Sequence, residues 1–102
     1  DVLRNRDDAD ELLTDMIHRA DGSRLESSVW LASVYGGQQS AVELVALVGH
    51  ENPDVRVAAV WALGRTGSIN HADHLELARL DPDADVSEMA DRAMGMLHRR
   101  LN

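Results

Sequence analysis

The chain repeats itself with a period of 31 residues. Segment 27–37, SSVWLASVYGG, aligns with segment 58–68, AAVWALGRTGS, so that Val29, Trp30 and Gly36 fall on Val60, Trp61 and Gly67. The same offset carries Ala41 to Ala72, Leu44 to Leu75 and, running backwards, Leu44 to Leu13. Applied again, it places Asp54, Val55, Ala59, Ala62, Leu63 and Gly64 on Asp85, Val86, Ala90, Ala93, Met94 and Gly95. Self-similarity at a fixed spacing of this size marks arrays in which one small unit stacks on the next. No single unit hides its own apolar face, so about three are near the minimum that folds alone.

Within a period the apolar residues follow helical spacing. Val55, Ala58, Ala59, Ala62 and Leu63 form one stripe of an amphipathic helix, and Val86, Met89, Ala90, Ala93, Met94, Leu97 and Leu101 repeat it. Asn52 before Pro53 reads as an N-cap with proline at the first helical position, while Ser23 with Glu26, Ser40 with Glu43 and Asp85 with Glu88 read as capping boxes. Asp8 with Glu11 repeats that pattern less well. Gly22, Gly36, Gly37, Gly49, Gly67 and the Asp81-Pro82 step supply stops. These signals predict six helices, at about 8–20, 24–35, 40–48, 53–65, 71–80 and 86–101, in one domain spanning residues 1–102. Short connections favour antiparallel neighbours, so an all-α solenoid of about three αα-hairpins is expected.

The segments ENPDVRVAAVWALGRTG (51–67) and DPDADVSEMADRAMGML (81–97) resemble the first helix of a HEAT repeat of the short bacterial type, in which an acidic or proline turn precedes Val-Arg, spaced alanines and Leu-Gly. Ser87 stands where that pattern has arginine. DGSRLESSVWLASVYGG (21–37) is a looser copy, with Leu25 at that position. The resemblance covers nearly the whole chain. It implies a right-handed α-solenoid that acts as a protein-binding scaffold, with the second helices (8–20, 40–48 and 71–80) lining a concave inner face. The chain lacks an initiating methionine, opens on a second-type helix and closes on a first-type one. It therefore reads either as a section of a longer array or as three self-contained hairpins.

Charge and missing residues narrow the function classes. The 102 residues carry 18 acidic and 10 basic side chains, for a net charge of -8, and all ten basic residues are arginine. Nucleic-acid affinity comes mainly from basic residues neutralising phosphates, so a nucleic-acid partner is not expected. That also disfavours kinship with the HEAT-like DNA glycosylases. Cysteine is absent, which excludes disulfides and thiolate metal sites. No apolar run approaches the roughly 20 residues that span a bilayer, and no signal-like start is present. A cytoplasmic protein with no membrane partner is expected.

Two candidate surfaces emerge. Trp30, Trp61 and Arg92 share one repeat position. Trp61 lies about 240° round the helix from Val55, at the edge of the buried stripe or outside it. A ladder on the outer face of the first helices would bring arginine near an indole and offer anchors to a partner. The competing reading is packing at the edge of the core. The second helices carry Glu11, Asp15, His18, Gln39, Glu43, Asp73, Glu76 and Arg79, mostly acidic, with Val42, Val45 and Ala46 as a small apolar floor. Such a face suits a basic or amphipathic protein segment. Its competing reading is a solvated face that keeps the chain soluble. A continuation of the array, a neighbouring domain or self-association is also expected at the last helix, because Met89, Met94, Leu97 and Leu101 there have only partial cover from the fifth helix.

Catalytic chemistry finds no foothold. His71 and His74, with Asp73 and Glu76 nearby, provide two local imidazoles where a zinc site uses three or four ligands, so no metal or cofactor is expected. Deoxyhypusine hydroxylases, which are HEAT-repeat enzymes, use repeated His-Glu pairs within helices to bind iron. Here the single pair, His50-Glu51, precedes Pro53, and the helix copies carry Val57-Ala58 and Glu88-Met89. None of the serines at 23, 27, 28, 33, 40, 68 and 87 sits in a nucleophile elbow or phosphate-binding glycine loop. A non-catalytic interaction module is therefore the expectation. The alternatives are an enzyme-associated subunit resembling the bilin lyases, which share the short repeat, and a structural spacer in a longer array.

Overall fold

The computed structural model describes residues 6–67 and 69–101. Its α-helices are α1 (Arg6–Arg19), α2 (Gly22–Tyr35), α3 (Gln38–Leu47), α4 (Pro53–Thr66), α5 (Ala72–Ala78) and α6 (Ala84–Leu101), with a 3-10 turn at Ile69–His71 before α5. No strand occurs among the described residues.

The helix ends repeat with the sequence. Asn52 caps α4, its side-chain oxygen accepting from the Asp54 amide at 2.9 Å. One period later Asp83 does the same for α6, accepting from the amides of Asp85 at 2.9 Å and Val86 at 3.2 Å. Asp85 therefore lies inside the first turn, and the expected capping box at Asp85 and Glu88 does not form. Asp21, one period before Asn52, holds the cap position of α2 without a side-chain bond. The helix begins there at Gly22, whose φ of 55° takes it out of the right-handed region, so Ser23 is already helical and caps nothing. At the other ends, Gly36 and Gly67 donate to Ala32 and Leu63, each at 2.8 Å, in one shared C-terminal geometry.

The helices form two layers within a slab of 40 × 34 × 15 Å, α2–α4–α6 in one and α1–α3–α5 in the other. Across the layers α1 packs on α2, α3 on α4 and α5 on α6, while α2 and α3 make little direct contact. The array is thus three packed pairs, each a second-type helix with the first-type helix that follows it. The α2–α4–α6 layer is the tighter, and α3 and α5 hardly approach one another. Small residues allow the close approach: a Cβ built on Gly64 would lie 2.7 Å from the Cβ of Ala93. The predicted stripe residues Val55, Ala58, Ala59, Ala62 and Leu63 are fully buried, with Leu44 and Leu75 from the facing layer.

Arg56, the arginine of the repeat pattern, is largely buried at 15% exposure and forms a bidentate pair with Asp81 at 3.0 and 3.2 Å. Its remaining nitrogen donates to the carbonyls of His50 and Glu51. The turn before α4 is thereby tied to the turn before α6, and the His50-Glu51 step serves as backbone acceptor.

The last helix packs part of its apolar stripe against the core. Val86, Ala90, Ala93 and Leu97 are fully buried, and Met89 and Met94 are half-buried against the core; the Leu101 side chain lies outside the described residues. Asp91 is instead exposed and ion-paired with Arg79. One period earlier those two positions are Val60 and Val48, both packed in the core. A charged pair thus stands where the preceding unit carries two valines. Of the apolar stripe named for self-association, Leu97 is buried while Met89 and Met94 keep part of their surface exposed. Exposed large apolar side chains lie elsewhere, at Leu12, Leu31, Val34 and Tyr35 on α1 and α2, and at Val42, Leu77 and Leu80.

Candidate protein-binding site

Three consecutive first-type helices lie side by side, so any residue on their outer side recurs one helix further along, about 8–10 Å away. A groove of about 340 Å³ crosses all three, lined by Glu26 and Trp30 of α2, Asp54 and Val57 of α4, and Asp85, Glu88, Met89 and Arg92 of α6. The repeat explains its make-up: Glu26, Val57 and Glu88 occupy one repeat position, Asp54 and Asp85 another, Trp30 and Arg92 a third. Half-buried Val57 and Met89 provide apolar surface. Trp30 is 37% exposed at the α2 end.

The groove is electrostatically one-sided. Four carboxylates face the single guanidinium of Arg92, which is already held by Glu88 at 3.0 Å across one helical turn. Glu26, Asp54 and Asp85 have no ion-pair partner among the described residues. Their placement has a local cause. Asp54 and Asp85 stand in the first turns of α4 and α6, where a carboxylate is favoured by the helix dipole, and the stacking aligns those first turns. Residues chosen to start helices thus gather into an acidic row beside an indole.

The other candidate residues are distributed differently. Trp61 is half-buried and does not line the groove, and the Arg92 guanidinium is engaged by Glu88 rather than by an indole, so the ladder of Trp30, Trp61 and Arg92 is not continuous. On the α1–α3–α5 layer, Glu11, Asp15, His18 and Gln39 line a groove of about 540 Å³ with Asp8, Leu12 and Thr14. Of its acids, Asp15 is paired with Arg19. Glu43 faces His18 at 3.5 Å, Val42 is exposed and Val45 is half-buried. Glu76 pairs with Arg79 on α5, in a separate depression with Leu77, Leu80 and Asp91. Because α3 and α5 stand apart, Val42, Glu43, Val45 and Glu76 do not come together in one groove.

Beside the α1 groove lies a device the residue spacing did not announce. Asp10, only 6% exposed, sends its carboxylate across to the start of α3. Its Oδ1 accepts from the Gly37 amide at 2.8 Å, the Ser40 amide at 2.9 Å and the Ser40 hydroxyl at 2.6 Å, and Oδ2 accepts from the Gln39 amide at 2.9 Å. Burial pushes the Asp10 pKa up, but the bonds from Ser40, Gly37 and Gln39 outweigh it and hold the group below the ordinary carboxylate value. Ser40 is accordingly the third residue of α3, not its cap, and the expected box with Glu43 is replaced by a cap supplied from another helix. Ser40 also accepts from the Gly37 amide at 3.1 Å.

His71 holds the cap position of α5 without a side-chain cap bond, and its pKa is lowered by burial and by the neighbouring charge of His74. Among the described residues no group of three His, Asp or Glu side chains could hold a metal ion. The hydroxyls of Ser28, Ser33 and Ser87 donate to the carbonyls of Arg24, Trp30 and Arg79. No helix among the described residues is long and apolar enough to cross a membrane.

Glu26, Asp54, Asp85 and Glu88 read along the chain only as helix-start residues and Met89 as part of the apolar stripe, while Val57 carries no site signal at all. The signal that places them together is the 31-residue offset applied to polar positions as well as to apolar ones.

A family model for HEAT repeats matches residues 13–95. No curated protein and no solved structure matches the chain.

Proposed function

Because the chain belongs to the HEAT-repeat family, whose members generally mediate protein–protein interaction, we propose that it is a non-catalytic module that binds a basic protein segment in the groove across α2, α4 and α6. One observation carries this reading: the groove takes its walls from all three packed pairs and holds three carboxylates without partners beside a partly exposed tryptophan. Unpaired carboxylates set a negative potential over the groove, so a cationic side chain is the occupant that complements such walls, and an indole face adds cation–π attraction. The α1 groove is the weaker candidate, since it is built almost entirely from one helix and Asp15 there is already neutralised by Arg19.

Fluorescence anisotropy with a labelled arginine-containing peptide tests the proposal. Binding should weaken at least tenfold in the Asp54→Arg, Asp85→Arg variant and stay within twofold in Glu11→Gln, Asp15→Asn. The reverse ranking would move the site to the α1 groove, and equal binding in all three proteins would remove the proposal.

A further inference from the structure

The groove's repeat geometry goes further than charge. It presents an acidic station on each helix it crosses: Glu26 on α2, Asp54 on α4, and Asp85 with Glu88 on α6. Packed helix axes lie about 8–10 Å apart. A polyproline II segment has three residues per turn and advances about 3.1 Å per residue, so residues three apart share one face and lie about 9 Å from one another. The two spacings agree. An α-helix laid along the same path would advance only about 4.5 Å in three residues and would turn its basic residues out of line.

We propose that the ligand is a segment in polyproline II conformation with arginine or lysine at every third position, lying across α2, α4 and α6 and placing one cation at each acidic station, with the α2 cation beside Trp30. This rests on the reading of the groove as the binding site and adds a register to it. Three features of the protein support that register. Asp54 and Asp85 are one period apart in sequence and occupy the same turn of adjacent helices. The tight approach of α4 and α6 at Gly64 and Ala93 holds that helix spacing against rigid backbone. Val57, between Glu26 and Glu88 in the repeat, leaves apolar surface where the uncharged residues of the segment pass. Arg92, fixed on Glu88, adds a like charge at the α6 end, which disfavours a fourth cation beyond that station.

The test uses three synthetic peptides of equal length and composition, each with three arginines among glycine, serine and threonine, with the arginines two, three or five residues apart. Affinities are measured by isothermal titration calorimetry at low salt for the wild-type chain and for Asp54→Asn, Asp85→Asn. Both substitutions fall on exposed first-turn positions, so folding is preserved, and far-ultraviolet circular dichroism verifies it. The three-residue spacing should bind the wild type at least tenfold more tightly than the other two, and the double variant should abolish that preference. Equal affinities for the three spacings, all weakened in the variant, would overturn the register while leaving the groove as the site. Affinities untouched by the variant, or no binding by any peptide, would overturn both.

Discussion

Replacing Asp10 by alanine tests the long-range cap that joins α1 to α3. The carboxylate accepts four hydrogen bonds at 2.6–2.9 Å from the start of α3, and it is nearly inaccessible to water. Removing an ordinary N-cap costs about 0.5–2 kcal/mol. Here a buried amide, that of Ser40, also loses its acceptor, for about 1–3 kcal/mol more, while the Gly37 amide keeps the Ser40 hydroxyl. A loss of about 3 kcal/mol is expected, a large share of the roughly 5–15 kcal/mol that stabilises a domain of this size. In melting temperature that is about 12–24 °C, at roughly 4–8 °C per kcal/mol. Asp10→Asn, which keeps one oxygen but no charge, should fall between the two proteins. The folded-state pKa of Asp10 is depressed, so its contribution is complete above the unfolded-state value near about 3.9 and is lost as pH falls through the folded value. Urea denaturation followed at 222 nm should therefore show the wild type well above Asp10→Ala at pH 7, with the gap closing towards pH 2.5. A gap under about 0.5 kcal/mol at pH 7, or one that does not narrow in acid, would refute the long-range cap.

Gly64 and Gly95 occupy the same repeat position but should respond in opposite directions to alanine. At Gly64 the new Cβ would meet Ala93 Cβ at 2.7 Å and its Cα at 2.8 Å, so a loss of about 1–2 kcal/mol is expected from overpacking against backbone. At Gly95 it would meet only the movable end of Arg99 at 3.4 Å, and helix propensity should give a gain of up to about 1 kcal/mol; thermal melts of both variants check the signs. For His71 the folded-state pKa is lowered by burial and by His74, so the neutral ring is the form that suits the fold. Its stabilisation is complete above about pH 6.5, where both states are neutral, and is lost as pH falls from there through the folded value. The drop in urea midpoint between pH 7.5 and pH 5 should be smaller in His71→Gln, and an identical drop would discount the histidine.

The period, the helices and most of the core were legible in the sequence, because helix formation and apolar striping are read from residues three or four apart. The 31-residue offset also contained the caps at Asn52 and Asp83, which lie at one repeat position even though Asp85 looked like the starting residue. What local spacing could not carry is what happens between helices. Asp10 finds its partners 27 to 30 residues away, with no copy of itself at Ala41 to mark the position as part of a pattern. Leu97 is seen to be buried, with Met89 and Met94 half-buried beside it, only once the helices are packed, and the pairing of Asp91 with Arg79 appears only when α5 stands against α6. The acidic face expected on the second helices is divided because α3 and α5 stand apart, whereas the close spacing of α2, α4 and α6 aligns helix-start carboxylates into a groove. Sequence by itself determined that this chain is a stack of paired helices. Tertiary structure decided which of its charges are spent on holding the stack together and which remain unpaired and available to a partner, because pairing depends on distances between helices that no stretch of one helix encodes.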